Sequence, residues 1–162
     1  MEKGDMIRQE KYHETKKHGL REFPFNIYPC SIPGDFQNVA LHWHEEMEII
    51  SIKKGRGNVV VDRVVYEVEE GDVMAVFPGQ LHAIYGFEDQ RMDYENIIFS
   101  LSLLMGAEED LCTERFLFPL AREQVREPLF KRRGMEGYEA FAGCIPVSYT
   151  HLRAHETSQD LV

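Results

Sequence analysis

The sequence predicts a mainly β domain, a small barrel or sandwich, with helices after it. Three observations carry this prediction. Short stretches rich in Val, Ile, Phe and Tyr recur from Arg21 to Leu103. Gly, Pro and Asp clusters separate them at close intervals, the spacing of strands and turns. From Ala107 the alternation stops and charged, helix-compatible sequence takes over. A small barrel also leaves no open sheet edges to protect.

A chain of 162 residues fits one domain. It is long enough to bury a core without staples. With 43% hydrophobic and 28% charged residues, the composition is that of an ordinary soluble globular protein. The formal net charge of -10 argues against this chain gripping nucleic acid by itself, because phosphate binding needs surplus Lys and Arg. Cys30, Cys112 and Cys144 are far apart and form no C-x-x-C pair, so free thiols in a reducing cytosol are expected. The charged N-terminus carries no apolar signal region, and no apolar run reaches the length of a membrane span. A cytoplasmic location follows as the expectation.

Residues 1–20 are dense in Lys, Glu and His and read as a flexible arm in which His13 and His18 are solvated. Residues 21–106 make the expected barrel. Phe23, Phe25 and Ile27 alternate with polar or small residues up to Tyr28-Pro29, giving a first strand. Ser31 to Asp35 is a turn cluster. Val39–His44 reads as a second strand and Met47–Lys53 as a third, which Gly55-Arg56-Gly57 is expected to break. Asp62-Arg63 is a tight hairpin turn between Val59–Val61 and Val64–Val68. Val73–Phe77 is continuously apolar, hence buried on both faces or lining a closed barrel. Pro78-Gly79-Gln80 turns the chain into Leu81–Tyr85. After a polar loop from Gly86 to Asp93, Tyr94–Leu103 closes the series.

Residues 107–145 are expected to be helical and to pack on the barrel or at a dimer interface. Within them Ala107–Cys112 reads as a helix start. Phe116–Leu120 is an apolar run expected to dock, Pro128-Leu129-Phe130 repeats that theme, and Tyr138–Cys144 is spaced for one apolar helix face. Residues 146–162 do not continue the preceding helical pattern and are expected to be a non-native tail. His151 and His155, at i and i+4, fall in this tail and have no support elsewhere.

The chemistry concentrates in His42-Trp43-His44-Glu45-Glu46-Met47-Glu48. Side chains alternate along a strand, so His42, His44 and Glu48 share one face and Trp43 and Met47 the other. A second Gly-bounded stretch, Gly71 to His82, ends in a tight turn that presents one more imidazole. Three His and one carboxylate suit a first-row divalent metal, Zn, Ni, Fe or Mn, with a position left for water or another ligand. Exposed His pairs on strands are common, and the carboxylate and the fourth residue are what raise this set above them.

The pattern His42-x-His44-x3-Glu48-x6-Gly55, then Gly71-x6-Pro78-Gly79-x2-His82, resembles the two motifs of the cupin superfamily. The resemblance implies a cupin-type barrel, a double-stranded β-helix or jelly roll, with His42, His44, Glu48 and His82 as metal ligands. Phe36 stands where a Gly usually precedes the first motif, Phe77 replaces a Pro, and Gly86 takes a position often held by Asn. A narrower resemblance runs from Phe25 to Met105, and on through about Tyr138. There the wording His42-Trp43-His44-Glu45-Glu46, Gly55-x-Gly57, Gly71-Asp72 and Pro78-Gly79-x2-His82 is similar to the N-terminal sensor domain of AraC-family transcriptional regulators.

That second resemblance implies an effector-sensing, dimerising domain. Its partners would be a small-molecule effector and a second copy of the chain. DNA would be bound by a helix-turn-helix part that this chain is expected to lack. The ligand-binding set is then His42, His44, Glu48 and His82, with Tyr85 added; no catalytic residue is assigned. The competing reading is a free-standing metal-dependent cupin enzyme, a dioxygenase or isomerase, favoured by the full ligand set. A ligand-free dimerising barrel is the third.

Overall fold

A computed structural model describes residues 10–19, 24–105, 111–122, 125 and 127–145. Residues 146–162, the start of the expected helix at 107–110, and Phe23 lie outside the described residues. The chain divides into two compact units, residues 1–130 and 131–162.

The first unit is built from β1 (Phe25–Ile32), β2 (Asn38–His42), β3 (Met47–Val61), β4 (Val64–Glu69), β5 (Val73–Val76), β6 (His82–Gly86), β7 (Met92–Phe99) and β8, which begins at Leu129. The pairings among β1 to β7 are all antiparallel. A short 3₁₀ turn, Leu101–Leu103, follows β7. Helix α1 (111–121) contains one π-type stretch, Thr113–Leu117.

β3 organises the sheets. Its first part, Met47 to Gly55, lies beside β7, and Glu48 to Ser51 also pairs with β5. Its second part, Arg56 to Val61, pairs with β4 and β6. The two leaves, β1-β7-β3-β5-β8 and β2-β6-β3-β4, are thus joined through one long strand and are not closed into a continuous barrel. The expected break at Gly55-Arg56-Gly57 does not occur. The register shifts between Ile52 and Lys54, and Gly55 adopts φ +81, so the strand bends and changes partners without ending.

The same shift explains the core. Before it, the even-numbered Glu48, Ile50 and Ile52 face inward; after it, the odd-numbered Val59 and Val61 do. Ile50, Ile52, Val59, Val61, Val68, Met74, Val76, Ile84, Met92 and Tyr94 form one buried cluster drawn from both leaves. Val73 to Val76 are all buried, as the unbroken apolar run predicts. Phe130 of β8 packs on Tyr66 with ring centroids 5.9 Å apart.

Other boundaries move as well, with β2 ending at His42 and β7 at Phe99. β1 extends to Ile32, leaving Pro33 to Asp35 as the turn, and β7 begins at Met92. In α1, Phe116 is 60% exposed, while Leu117, Phe118, Pro119 and Leu120 are half-buried. In the second unit, residues 138–145 are helical, with Tyr138 and Ile145 buried. Among the described residues, no helix is long and apolar enough to cross a membrane.

Candidate metal centre

Three local devices bring the candidate residues together. β2 ends at His42, which sits opposite His82 of β6. His44 lies just beyond β2, and its carbonyl accepts a hydrogen bond from Gly79 N at 2.9 Å, tying the two motifs to each other. Gly79 has φ +77, a conformation that favours Gly at this point of the turn. The turn is closed by Gln80, whose side-chain oxygen accepts from Phe77 N at 2.8 Å. Glu48 enters from β3, between Val76 of β5 and Ile98 of β7.

The ligand atoms of His42, His44, Glu48 and His82 all lie within 4.8 Å of one another, and this group can hold a metal ion. Glu48 Oε2 is 3.0 Å from His44 Nε2 and 3.1 Å from His82 Nε2. His42 and His82 have ring centroids 4.2 Å apart. His44, Glu48 and His82 are buried and His42 is half-buried.

Every one of the three imidazoles is oriented from behind. His42 Nδ1 donates to Ala40 O at 2.8 Å, His44 Nδ1 to Glu46 O at 3.1 Å, and His82 Nδ1 to Gln80 O at 2.9 Å. A carbonyl only accepts, so each Nδ1 carries a proton and each Nε2 faces the centre, presenting a lone pair whenever its ring is neutral. This is how metal-binding histidines are commonly fixed. An ionised Glu48 is also an acceptor. Lone pairs of His44, His82 and Glu48 meeting at 3.0 and 3.1 Å require a positive centre among them, either a proton or a cation.

The titration tendencies agree. Burial works against a charged Glu48, but the charge of His82 and hydrogen bonds from His44 and His82 outweigh it, holding the carboxyl well below its ordinary range. Burial also opposes charging His44; the hydrogen bond and charge of Glu48 overcome it and raise the imidazole. His42, less favoured, is lowered by burial and by His82. Three nitrogens and one anionic oxygen are a donor set suited to Zn, Ni, Fe or Mn.

Tyr85 is not brought to this cluster. It lies three residues beyond His82 on β6, and an odd offset puts it on the opposite face, where it is 39% exposed. Two residues that sequence reasoning missed lie at the edge of this cluster. Glu14 Oε2 lies 3.6 Å from His42 Nε2. His18, expected to be solvated, is only 6% exposed; its Nε2 lies 3.4 Å from the same Glu14 oxygen and its Nδ1 3.0 Å from Tyr28 Oη. Trp43 lies outside the set: its ring stacks on His13 at 4.2 Å.

Antiparallel strands that gather three His and one Glu from β2, the segment after it, the start of β3 and the start of β6 define a cupin-type domain. Residues 30–132 match the AraC-like ligand binding domain family, and the chain belongs to that family. Over 70 residues it is 31% identical to YdeC, an uncharacterised HTH-type transcriptional regulator of Bacillus subtilis (strain 168). That match covers 43% of this chain and 24% of YdeC, so the chain spans about a quarter of the curated relative's length. Among solved structures, a Cupin 2 conserved barrel domain protein from Salinispora arenicola is 26% identical, with TM-score 0.44 over 50% of this chain and 67% of that one. A cupin-like protein from Thermotoga maritima is 20% identical, with TM-score 0.44 over 61% and 74%.

Proposed function

We propose that this chain is the effector-sensing and dimerising part of an AraC-like transcriptional regulator, with a divalent metal held at the effector site by His42, His44, Glu48 and His82. One observation carries the metal reading: within a ligand-binding family, three Nε2 lone pairs and a buried carboxylate aim at a common point, each ring fixed by a backbone carbonyl. When bound, the ion supplies a Lewis-acidic centre. Glu48 neutralises part of its charge, and the three carbonyl-anchored rings hold their lone pairs in place for it. An effector acts by binding one arrangement of the regulator better than another; equal affinity for both would shift nothing. With a net charge of -10, the chain leaves DNA contact to basic surface elsewhere. The exposed Leu111 and Phe116 offer apolar surface to a second copy, supporting a homodimer. A cytoplasmic regulator suits three cysteines that form no disulfide with one another.

The test is metal analysis of purified protein by mass spectrometry, with a thermal-shift screen of sugars, amino acids and aromatic acids. His44→Ala and His82→Ala are expected to drop bound metal to near background; unchanged metal in both removes the metal reading. A second reading, a metal-dependent dioxygenase or isomerase, draws support from the complete four-donor set. Oxygen consumption by the metal-loaded chain, with no effector stabilising it, moves that reading ahead.

A further inference from the structure

We propose that Glu14 supplies a second carboxylate to the cation site, and that this is the position a small carboxylate ligand takes in exchange. The proposal rests on the reading of His42, His44, Glu48 and His82 as a cation site. Metal–nitrogen and metal–oxygen bonds of about 2.0–2.2 Å put neighbouring donors on one ion roughly 3 to 3.6 Å apart. The separations of Glu48 from His44 and His82, 3.0 and 3.1 Å, fall in that range. Glu14 stands at the edge of the four-residue group, with its Oε2 3.6 Å from His42 Nε2, so it would join the ion on the His42 side by a small side-chain movement.

Glu14 is held there by more than proximity. Trp43, between the ligands His42 and His44, donates from its backbone N to Tyr12 O at 2.9 Å, and Glu14 N donates to Trp43 O at 2.9 Å. The His13 ring stacks on Trp43. These contacts fix the backbone that leads into Glu14. Behind it stands the buried His18. Asn26 donates to Tyr28 Oη at 3.0 Å, and the Tyr28 hydroxyl in turn can donate to His18 Nδ1 at 3.0 Å. That arrangement leaves the Nε2–H of His18 facing Glu14 at 3.4 Å. A carboxylate steered by a buried imidazole, itself steered by a tyrosine, is positioned as a ligand would be.

Glu14 and Glu48 differ in what would be needed to move them. The Glu48 side chain is 2% exposed and sits in mid-sheet, whereas that of Glu14 is 28% exposed. Cavities of about 380 Å³, beside His42, and about 530 Å³, beside His18, Glu45 and Glu46, both have Glu14 in their walls. The first is lined by both Glu14 and His42, so a molecule seated there lies against Glu14, whereas the buried His44, Glu48 and His82 line neither cavity. A small carboxylate presents the same oxygen donors and can replace it without changing the charge at the centre.

Co(II) is the probe, because its visible spectrum reports coordination without any assay of activity. Full-length wild type, Glu14→Gln, His44→Ala and His82→Ala are titrated with Co(II), then with acetate. Expected for Glu14→Gln is Co(II) affinity at least about tenfold weaker, with altered band intensities and an unchanged metal-free melting temperature. Acetate is expected to shift its spectrum at lower concentration than in wild type, because the internal carboxylate competes at an effective concentration on the order of millimolar. Wild-type affinity, spectrum and acetate response in Glu14→Gln overturn the proposal. Loss of Co(II) from His44→Ala and His82→Ala in that same experiment leaves the four-residue site standing. A wild type that binds no Co(II) overturns both.

Discussion

Glu48 and His82 stand 34 positions apart in the chain and meet at 3.1 Å in the interior, with His44 at 3.0 Å from the same carboxylate oxygen. Three separate stretches therefore converge on one oxygen. A cation bound here would tie β3, β6 and the loop after β2 together in the folded state alone.

Binding to the native state alone stabilises by mass action, about 2.7 kcal/mol at a metal concentration of 100 Kd. For a chain of this size each kcal/mol moves the melting temperature by roughly 2–4 °C. Zn(II) is therefore expected to raise the wild-type melting temperature by roughly 5–10 °C in differential scanning fluorimetry. Glu48→Gln, His44→Ala and His82→Ala should show little or none of this rise. A rise of wild-type size in all three variants would place the bound metal somewhere else.

Gly55 is where β3 leaves one leaf for the other. Its φ of +81 is strained for any L side chain, and a Cβ there would run into the backbone carbonyl of Arg91. Backbone cannot swing aside as a flexible side chain can. Gly55→Ala is expected to destabilise by about 1–3 kcal/mol in urea denaturation, even though the lost freedom of the unfolded chain works in the opposite direction. Gly143, which has open space around it, is the control: Gly143→Ala should not be destabilising. Equal responses at the two sites would undo the bend argument.

How far the sequence discloses this molecule follows from what each signal measures. The clustering of His42, His44, Glu48 and His82 was legible in residue type and spacing, although His44 lies off the strands, in the segment that bends between β2 and β3. Alternation along a strand, applied strictly, excludes Tyr85, three residues from His82. The continuity of β3 was not legible. Glycines at 55 and 57 look like a terminator, and only the register shift at Ile52–Lys54 turns them into a bend. Glu14 and His18 were hidden for another reason. They lie in a polar segment without apolar periodicity, and His18 is buried by tertiary partners such as Tyr28, remote from any local pattern. In α1 the apolar run at Phe116–Leu120 was visible, but how far each side chain is covered depends on its neighbours in space.

The cysteines separate by environment. Burial pushes the Cys30 thiol up, while Cys112 and Cys144 are exposed. Thiolate is the reactive form, so a raised and half-buried thiol reacts slowly near neutral pH. Ellman's reagent is expected to modify two thiols quickly and the third only on unfolding. Cys30→Ser should leave the fast phase intact; its disappearance in that variant would contradict the assignment.

The hairpin between β3 and β4 carries a residue its geometry does not favour. Asp62 has φ +46 and Arg63 φ +74, the left-handed pair of a type I′ turn, for which Asp-Gly is preferred. A non-glycine residue in this region costs about 1–2 kcal/mol, and the added freedom of glycine in the unfolded chain returns roughly half to all of one. Arg63 is exposed, so the substitution uncovers no core. Arg63→Gly is therefore expected to stabilise by about 0.5–1 kcal/mol. Asp62 should not be exchangeable in the same way. Its carboxylate accepts from Leu81 N at 3.1 Å, and its own N donates to Leu81 O at 2.8 Å, which anchors the residue before His82. Asp62→Ala is expected to lose about 0.5–1.5 kcal/mol and to weaken metal binding as well, because the start of β6 loses an anchor. Urea denaturation of both variants, followed by Zn(II) titration, separates the two effects. An Arg63→Gly variant less stable than wild type would show that the turn is not under strain. An Asp62→Ala variant with unaltered metal affinity would show that His82 is held by its own strand and by Gln80 alone.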